Sequence, residues 1–272
     1  MSFTAVKNRK RNILKISAVA LALYIMIGSL LVAFQEKIIF LPTQLDQDYQ
    51  YEFDTPFEEF FLNTTDGARL NALHFKAENP IGALLYFHGN AGDLSRWGKI
   101  VEPFTDYNLD VIVMDYRTYG KSTGELSEQN LYGDAQLFYD YASKLFEDEV
   151  ILYGRSLGTG IATKIASENK VKQLILEAPY TSITAIAKHR FPMFPVSSFL
   201  NYDIPSDAYI KNVNSPITIF HGAEDAVVPY KYGKALSEIR PETIKLITIE
   251  GGGHNELPSF ESYQNGIKKV LN

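Results

Sequence analysis

The chain has 272 residues, 46% of them hydrophobic, which suffices for one large core within the size range of single α/β domains. Its formal charge of -6 is unevenly spread, since the first 34 residues hold Lys7, Arg9, Lys10, Arg11 and Lys15 but no acid. The remainder is therefore more acidic than the whole and repels phosphate backbones, which excludes nucleic acid as a partner, while the absence of cysteine excludes disulfides, thiolate metal sites, a lipidated cysteine and cysteine-based catalysis.

From Ile16 to Phe34 nineteen residues carry no charge. At about 1.5 Å per residue, a helix of that length roughly spans a hydrocarbon core of about 30 Å. The reading is a single transmembrane anchor over residues 1–34, followed by a catalytic domain over residues 35–272. A cleaved signal peptide is the alternative, but its apolar core usually runs about 7 to 15 residues, and Leu31-Val32-Ala33 is a poor cleavage site. The basic cluster before the helix, against Glu36 and Lys37 after it, places the N-terminus in the cytoplasm and the catalytic domain on the exoplasmic or periplasmic side.

Eight short apolar runs follow, each bounded by turn signals: Phe57–Asn63, Leu70–Phe75, Gly82–Phe87, Val111–Asp115, Val150–Gly154, Leu174–Ala178, Ile217–Phe220 and Lys245–Glu250. Thr65-Asp66-Gly67 between the first two signals an antiparallel hairpin. The later runs are separated by stretches long enough for helices, and their near-continuous apolar character suits strands covered on both faces. The pattern predicts an α/β fold: a mostly parallel eight-stranded sheet with helices on both sides. The stretch between Ala178 and Ile217 is the longest without a strand, and its aromatic run suggests a short cap.

Gly154-Arg155-Ser156-Leu157-Gly158 directly follows a strand pattern and precedes a helical one, the context of a nucleophile elbow. The flanking glycines remove Cβ atoms that would clash where strand passes into helix. Ser156 is thus the candidate nucleophile, and a serine hydroxyl needs a base with a pKa near neutrality. Of five histidines, His74 falls inside a strand pattern, His88 and His221 close strands, and His189 lies in the cap. His254, in the loop Gly251-Gly252-Gly253-His254 after the last strand, can reach a serine at the sheet's carboxyl edge. The acid that orients it should lie after a strand between the two. Asp225 meets this, with Glu177 and Glu224 as rivals. Oxyanion donors are expected from the backbone of Leu157 and of Asn90 or Ala91 in the loop after the third strand. The cap aromatics Phe191, Phe194, Phe199 and Tyr202 are the candidate acyl-binding surface, and so short a cap predicts a short groove.

The segments LLYFHGNAGD, VIVMDYRTYGKSTG, VILYGRSLGTG, LILEAPYTSI, ITIFHGAEDAVVP and GGGHNE, with FQEKIIFLP after the apolar segment, resemble the small membrane-anchored α/β-hydrolases of the YfhR-like group. The resemblance covers roughly Phe34 to the C-terminus. It implies an α/β-hydrolase fold with Ser156, Asp225 and His254 as triad, Asn90 and Leu157 in the oxyanion region, and hydrolysis of esters or thioesters. Thr118 departs from the glycine common at that position in the group.

The function read from these residues is a membrane-anchored serine hydrolase acting on a small acyl ester or thioester, through an acyl-enzyme and with no cofactor or metal. A serine peptidase of aminopeptidase type is the alternative, since the same triad cuts amides. Only Asp203 and Asp207 in the cap could pair with a peptide amine. A non-catalytic binding module on the same scaffold is the third reading, and retention of all three triad residues argues against it.

Overall fold

The computed structural model describes residues 3–272; the side chains of Lys7 and Arg9, part of the basic cluster, lie outside the described residues. A 31-residue helix α1 (Phe3–Ala33) leads into α2 (Gln35–Ile39). The stretch Lys10–Ala33 is long and apolar enough to cross a membrane.

The eight predicted strands all form, with ends within one or two residues of those expected: β1 (Phe57–Asn63), β2 (Arg69–Phe75), β3 (Ala83–Phe87), β4 (Asp110–Met114), β5 (Val150–Arg155), β6 (Gln173–Glu177), β7 (Ile217–Gly222) and β8 (Ile244–Ile249). They make one sheet ordered β1-β2-β4-β3-β5-β6-β7-β8. β1 and β2 pair antiparallel, Phe57 opposite Phe75 and Asn63 opposite Arg69, and β2 is antiparallel to β4; every other pairing is parallel. The hairpin turns at Gly67, whose φ of 85° suits a residue without Cβ. A second, two-stranded pairing joins Leu41–Pro42 to Ala91–Gly92.

Both faces of the sheet are covered, so alternate residues of one strand enter different cores. Leu85 and Phe87 of β3 join a cluster with Leu152, Ile161 and Phe138, while Leu84 and Tyr86 join one with Tyr153, Trp97 and Tyr263. The helices on these faces begin on side-chain caps: Asp93 accepts from Ser95 N–H ahead of α3 (Leu94–Val101), and Ser127 from Asn130 N–H ahead of α4 (Glu128–Phe146). Helix α5 (Leu157–Glu168) lies closest to the sheet, and a Cβ on Gly158 would stand 2.0 Å from the Phe87 carbonyl oxygen. The cap comprises α6 (Ile183–Arg190), started by Ser182, then an irregular run through Tyr202 and the short α7 (Ser206–Tyr209). Helices α8 (Lys231–Ser237) and α9 (Glu261–Leu271) complete the chain.

Thr118 has φ 72°, a left-handed conformation that costs a β-branched residue energy, and its hydroxyl is buried without a partner. Glycine would meet no such cost at this φ.

Candidate active site

Ser156 joins β5 to α5 with φ 50° and ψ -114°, a strained conformation held from both sides. A Cβ on Gly154 would lie 2.5 Å from the Gly158 carbonyl oxygen, and Ser156 N–H is tied to the Glu177 carbonyl at 2.9 Å. Only glycine before and after the serine permits so sharp a turn. Ser156 Oγ stands 2.9 Å from His254 Nε2, and His254 Nδ1 stands 2.7 Å from Asp225 Oδ2. The three residues are thus one hydrogen-bonded chain drawn from the ends of β5, β7 and β8.

The loops that carry Asp225 and His254 brace each other. Glu224 N–H donates to the Gly252 carbonyl at 2.9 Å, and within the His254 loop Gly253 N–H donates to Glu256 Oε1 at 2.8 Å. The other oxygen of Asp225 accepts from Val227 and Val228 N–H, both at 2.8 Å. Burial pushes this carboxyl up, but hydrogen bonds from His221, His254 and the Val228 backbone outweigh it and hold the group well below the usual carboxylate range. Of the rival acids, Glu224 is exposed and Glu177 is buried elsewhere. Glu177 pairs with Arg155 at 3.1 Å and accepts from the Tyr153 and Tyr263 hydroxyls at 2.6 and 3.0 Å. Its role is to neutralise an arginine beneath the elbow.

The loop after β3 reaches the same place. Asn90 gives its carbonyl to Leu41 N–H and the Tyr119 hydroxyl, and its amide to the Ile39 carbonyl. Amides of alternate residues face opposite strand edges, so the Ala91 N–H points away from Leu41. Its carbonyl takes the indole N–H of Trp97 at 2.9 Å. Leu157, first residue of α5, has a backbone N–H with no acceptor inside the helix. The remaining histidines have structural partners: His74 Nε2 meets Asp110 at 2.8 Å, and His221 Nε2 meets the Val228 carbonyl at 2.8 Å. His88 Nδ1 meets the Gly89 carbonyl at 2.6 Å, and its ring stacks on Trp97. His189 lies exposed near Lys231.

Ser156 and His254 open on a cavity of about 470 Å³, which also contains Gly89, Asn90, Ala91 and Leu157. Of the four cap aromatics, Phe191 and Phe199 line it. The other two require correction. Phe194 stacks on Tyr24 of α1, centroids 4.7 Å apart, and Tyr202 is buried against Phe40 with its hydroxyl donating to Glu36 at 2.7 Å. Both fasten the cap to the N-terminal helices, which compete for those rings by offering apolar surface. The wall extends beyond the cap, because Leu31, Gln35, Ile38 and Ile39 form part of it. Three arginines, Arg96, Arg155 and Arg190, reach the cavity, and none of its lining residues is a carboxylate. Sequence reasoning missed these arginines; only Arg155 carried a signal, its place inside the elbow motif.

The family model described as serine aminopeptidase, S33, matches residues 78–202. Alpha/beta hydrolase domain-containing protein 17C of Mus musculus is 30% identical over 234 residues, spanning 82% of this chain and 71% of that protein. Its Homo sapiens counterpart matches at the same identity over 69% of its length. Among solved structures, the Pyrococcus furiosus esterase Pf2001 superposes with a TM-score of 0.67 at 14% identity, over 86% of this chain and 97% of that one. The α/β hydrolase GrgF from Penicillium gives 0.64 at 15%, over 79% and 96%. With this strand order, and with such identity over most of both sequences, the chain belongs to the α/β-hydrolase family and is a hydrolase.

Proposed function

We propose that the protein is a serine hydrolase of carboxylic esters or thioesters, with Ser156 as nucleophile, His254 as general base and Asp225 as the acid that orients it. The observation that carries this is the unbroken chain from Ser156 Oγ through His254 to Asp225 at a strained elbow. Asp225 accepts a hydrogen bond from the Nδ1–H of His254, which leaves Nε2 free to take the serine proton. Serine oxygen then attacks the acyl carbon, and the oxyanion settles on the N–H groups of Leu157 and Ala91, with Asn90 shaping the loop. His254 returns its proton to the departing alcohol or thiol, leaving an acyl-enzyme. Water, activated by the same nitrogen, releases the acid and restores the serine.

The cavity lining favours this over an aminopeptidase. A peptide amine needs carboxylates, and Asp203 and Asp207 are exposed and outside the lining, where the charged groups are arginines. The retained triad geometry favours an enzyme over a binding module. We further read residues 1–34 as an uncleaved single-pass anchor with its N-terminus cytoplasmic and residues 35–272 as an exoplasmic or periplasmic catalytic domain, on the length of the apolar helix and the basic residues before its apolar stretch. Incubating the full-length protein in detergent with p-nitrophenyl esters, acyl thioesters and aminoacyl amides tests the function. Ester or thioester turnover well above amide turnover is expected, and the reverse order would make it a peptidase.

A further inference from the structure

Residues Tyr24, Gly28, Leu31 and Gln35 are spaced four, three and four apart, so they share one face of the N-terminal helical segment. That face is docked. Tyr24 stacks on Phe194 and donates its hydroxyl to the Met193 carbonyl at 2.8 Å. Gly28 lies against the same Phe194 ring, where a Cβ would already be in contact at 3.5 Å. Gly28 and Leu31 are half-buried while their neighbours on the helix are exposed. Gln35 is buried, donating to the Phe199 carbonyl and accepting from Asn201 N–H at 2.7 Å. The cap therefore rests on the apolar helix along more than two turns.

This contact has a depth. Tyr24 stands nine residues before the end of α1, about 13 Å along the axis, which is inside a hydrocarbon layer of about 30 Å if the helix crosses it. Met193, beside it in the cap, is 77% exposed, so an apolar cap tip projects at the level of the helix's apolar stretch. The tyrosine hydroxyl, which lipid could not satisfy, is satisfied by a carbonyl. Leu31, Ile38, Leu41 and Val227 line the cavity that holds Ser156, and the last three remain exposed at its mouth.

We propose that the membrane helix is itself a wall of the substrate groove: the acyl chain of a membrane-borne ester or thioester enters from the lipid side through the opening flanked by the exposed Ile38, Leu41 and Val227, and Leu31 of α1 sets how much chain the groove accepts. The proposal rests on the reading of Ser156 as the acyl-transfer nucleophile. Apolar groove and lipid interior are continuous, so a chain moves from one to the other without crossing water, where every exposed methylene is unfavourable. An anchor that were only a tether would leave Leu31 in lipid rather than in the wall of the cavity.

The test uses the full-length protein in lipid nanodiscs and a hexadecyl fluorophosphonate carrying a photoreactive diazirine at the chain terminus. Mass spectrometry after labelling and irradiation is expected to place phosphorus on Ser156 and the chain-end adduct on α1, near Leu31. Ser156 labelling with chain-end adducts confined to the strand-side loops would overturn the proposal and leave the hydrolase reading intact. No label on Ser156 of an ester-cleaving protein would instead overturn the assignment of Ser156 as the nucleophile. A mature mass lacking the residues through Leu31 would also overturn the groove. As a second measure, Leu31→Trp is expected to lower the ratio of kcat/KM for p-nitrophenyl palmitate over acetate at least tenfold; a ratio within twofold of the parent's would count against Leu31.

Discussion

Two sides of one cavity are built in different ways. On the sheet side, Ser156 is held by contacts that allow no alternative: a Cβ on either flanking glycine would fall on backbone atoms, and His254 and Asp225 stand on loops that hydrogen-bond to each other. On the cap side, the wall is assembled from α1, α2, α6 and the irregular run after it, the cap being joined to the N-terminal helices by one aromatic stack and a few hydrogen bonds. Chemistry needs atoms positioned to a fraction of an ångström, which a packed sheet edge supplies. Selection of a chain needs only apolar surface of suitable length, and surface segments can change it without disturbing the elbow. The difference predicts that substitutions on the sheet side abolish turnover, whereas those on the cap side reorder substrates.

The largest expected effect is that of Ser156→Ala, which should lower turnover by at least about 10³-fold and leave only what oxyanion donors and binding provide. Fluorophosphonate labelling should vanish with it. A variant that kept a tenth of its activity would place the nucleophile elsewhere and dissolve the contrast between the two sides.

Next comes the acid. Asp225→Asn keeps shape but removes the charge that fixes the histidine tautomer, and should cost roughly 10² to 10⁴ in kcat. Glu177→Gln should cost far less in kcat but leaves Arg155 buried without its counter-charge, a loss of about 3 kcal/mol in stability by urea unfolding. If folded Asp225→Asn stayed active while folded Glu177→Gln did not, the acid would belong after β6.

Asp225 also ties the site to acid stability. Its folded-state pKa is depressed by hydrogen bonds that outweigh burial, so its contribution is complete above the unfolded value of about 3.9 and is lost as pH falls through the folded value. The stability difference between parent and Asp225→Asn, on the order of 2 kcal/mol, should be level from about pH 5 to 7 and shrink below about pH 4. Urea titrations across that range would detect a difference that instead grew with acid, which would mean the carboxyl is raised.

The smallest effect lies away from both walls. Thr118→Gly removes a left-handed β-branched residue and should stabilise by about 0.5–1 kcal/mol, or roughly 1–4 °C in Tm for a domain of this size. An unchanged or lower Tm would show that the entropy glycine loses on folding cancels the relieved strain.

What was legible in the sequence was local or set by chain order. Runs such as ALLYF and VIVM are too short and too continuously apolar for surface helices, so the strands could be found to within a residue or two. The elbow was legible because its glycines are a steric requirement, and His254 because a loop after the last strand can reach the serine. Asp225 was separable from Glu177 only by position in the chain; the physical reason, that Glu177 faces Arg155, Tyr153 and Tyr263, exists only once β5, β6 and α9 are packed. Thr118 stood out as a departure, yet its meaning needed a φ angle. Phe194 and Tyr202 were misplaced because an aromatic residue's period does not say which partner it will meet. By itself the sequence determined the fold, the elbow and the apolar helix, since each follows from steric or hydrophobic rules acting over a few residues. Only the tertiary structure decided that Leu31, Gln35 and Ile38 share a cavity with Ser156. That contact joins segments more than a hundred residues apart, and complementarity between such surfaces is written in no local pattern.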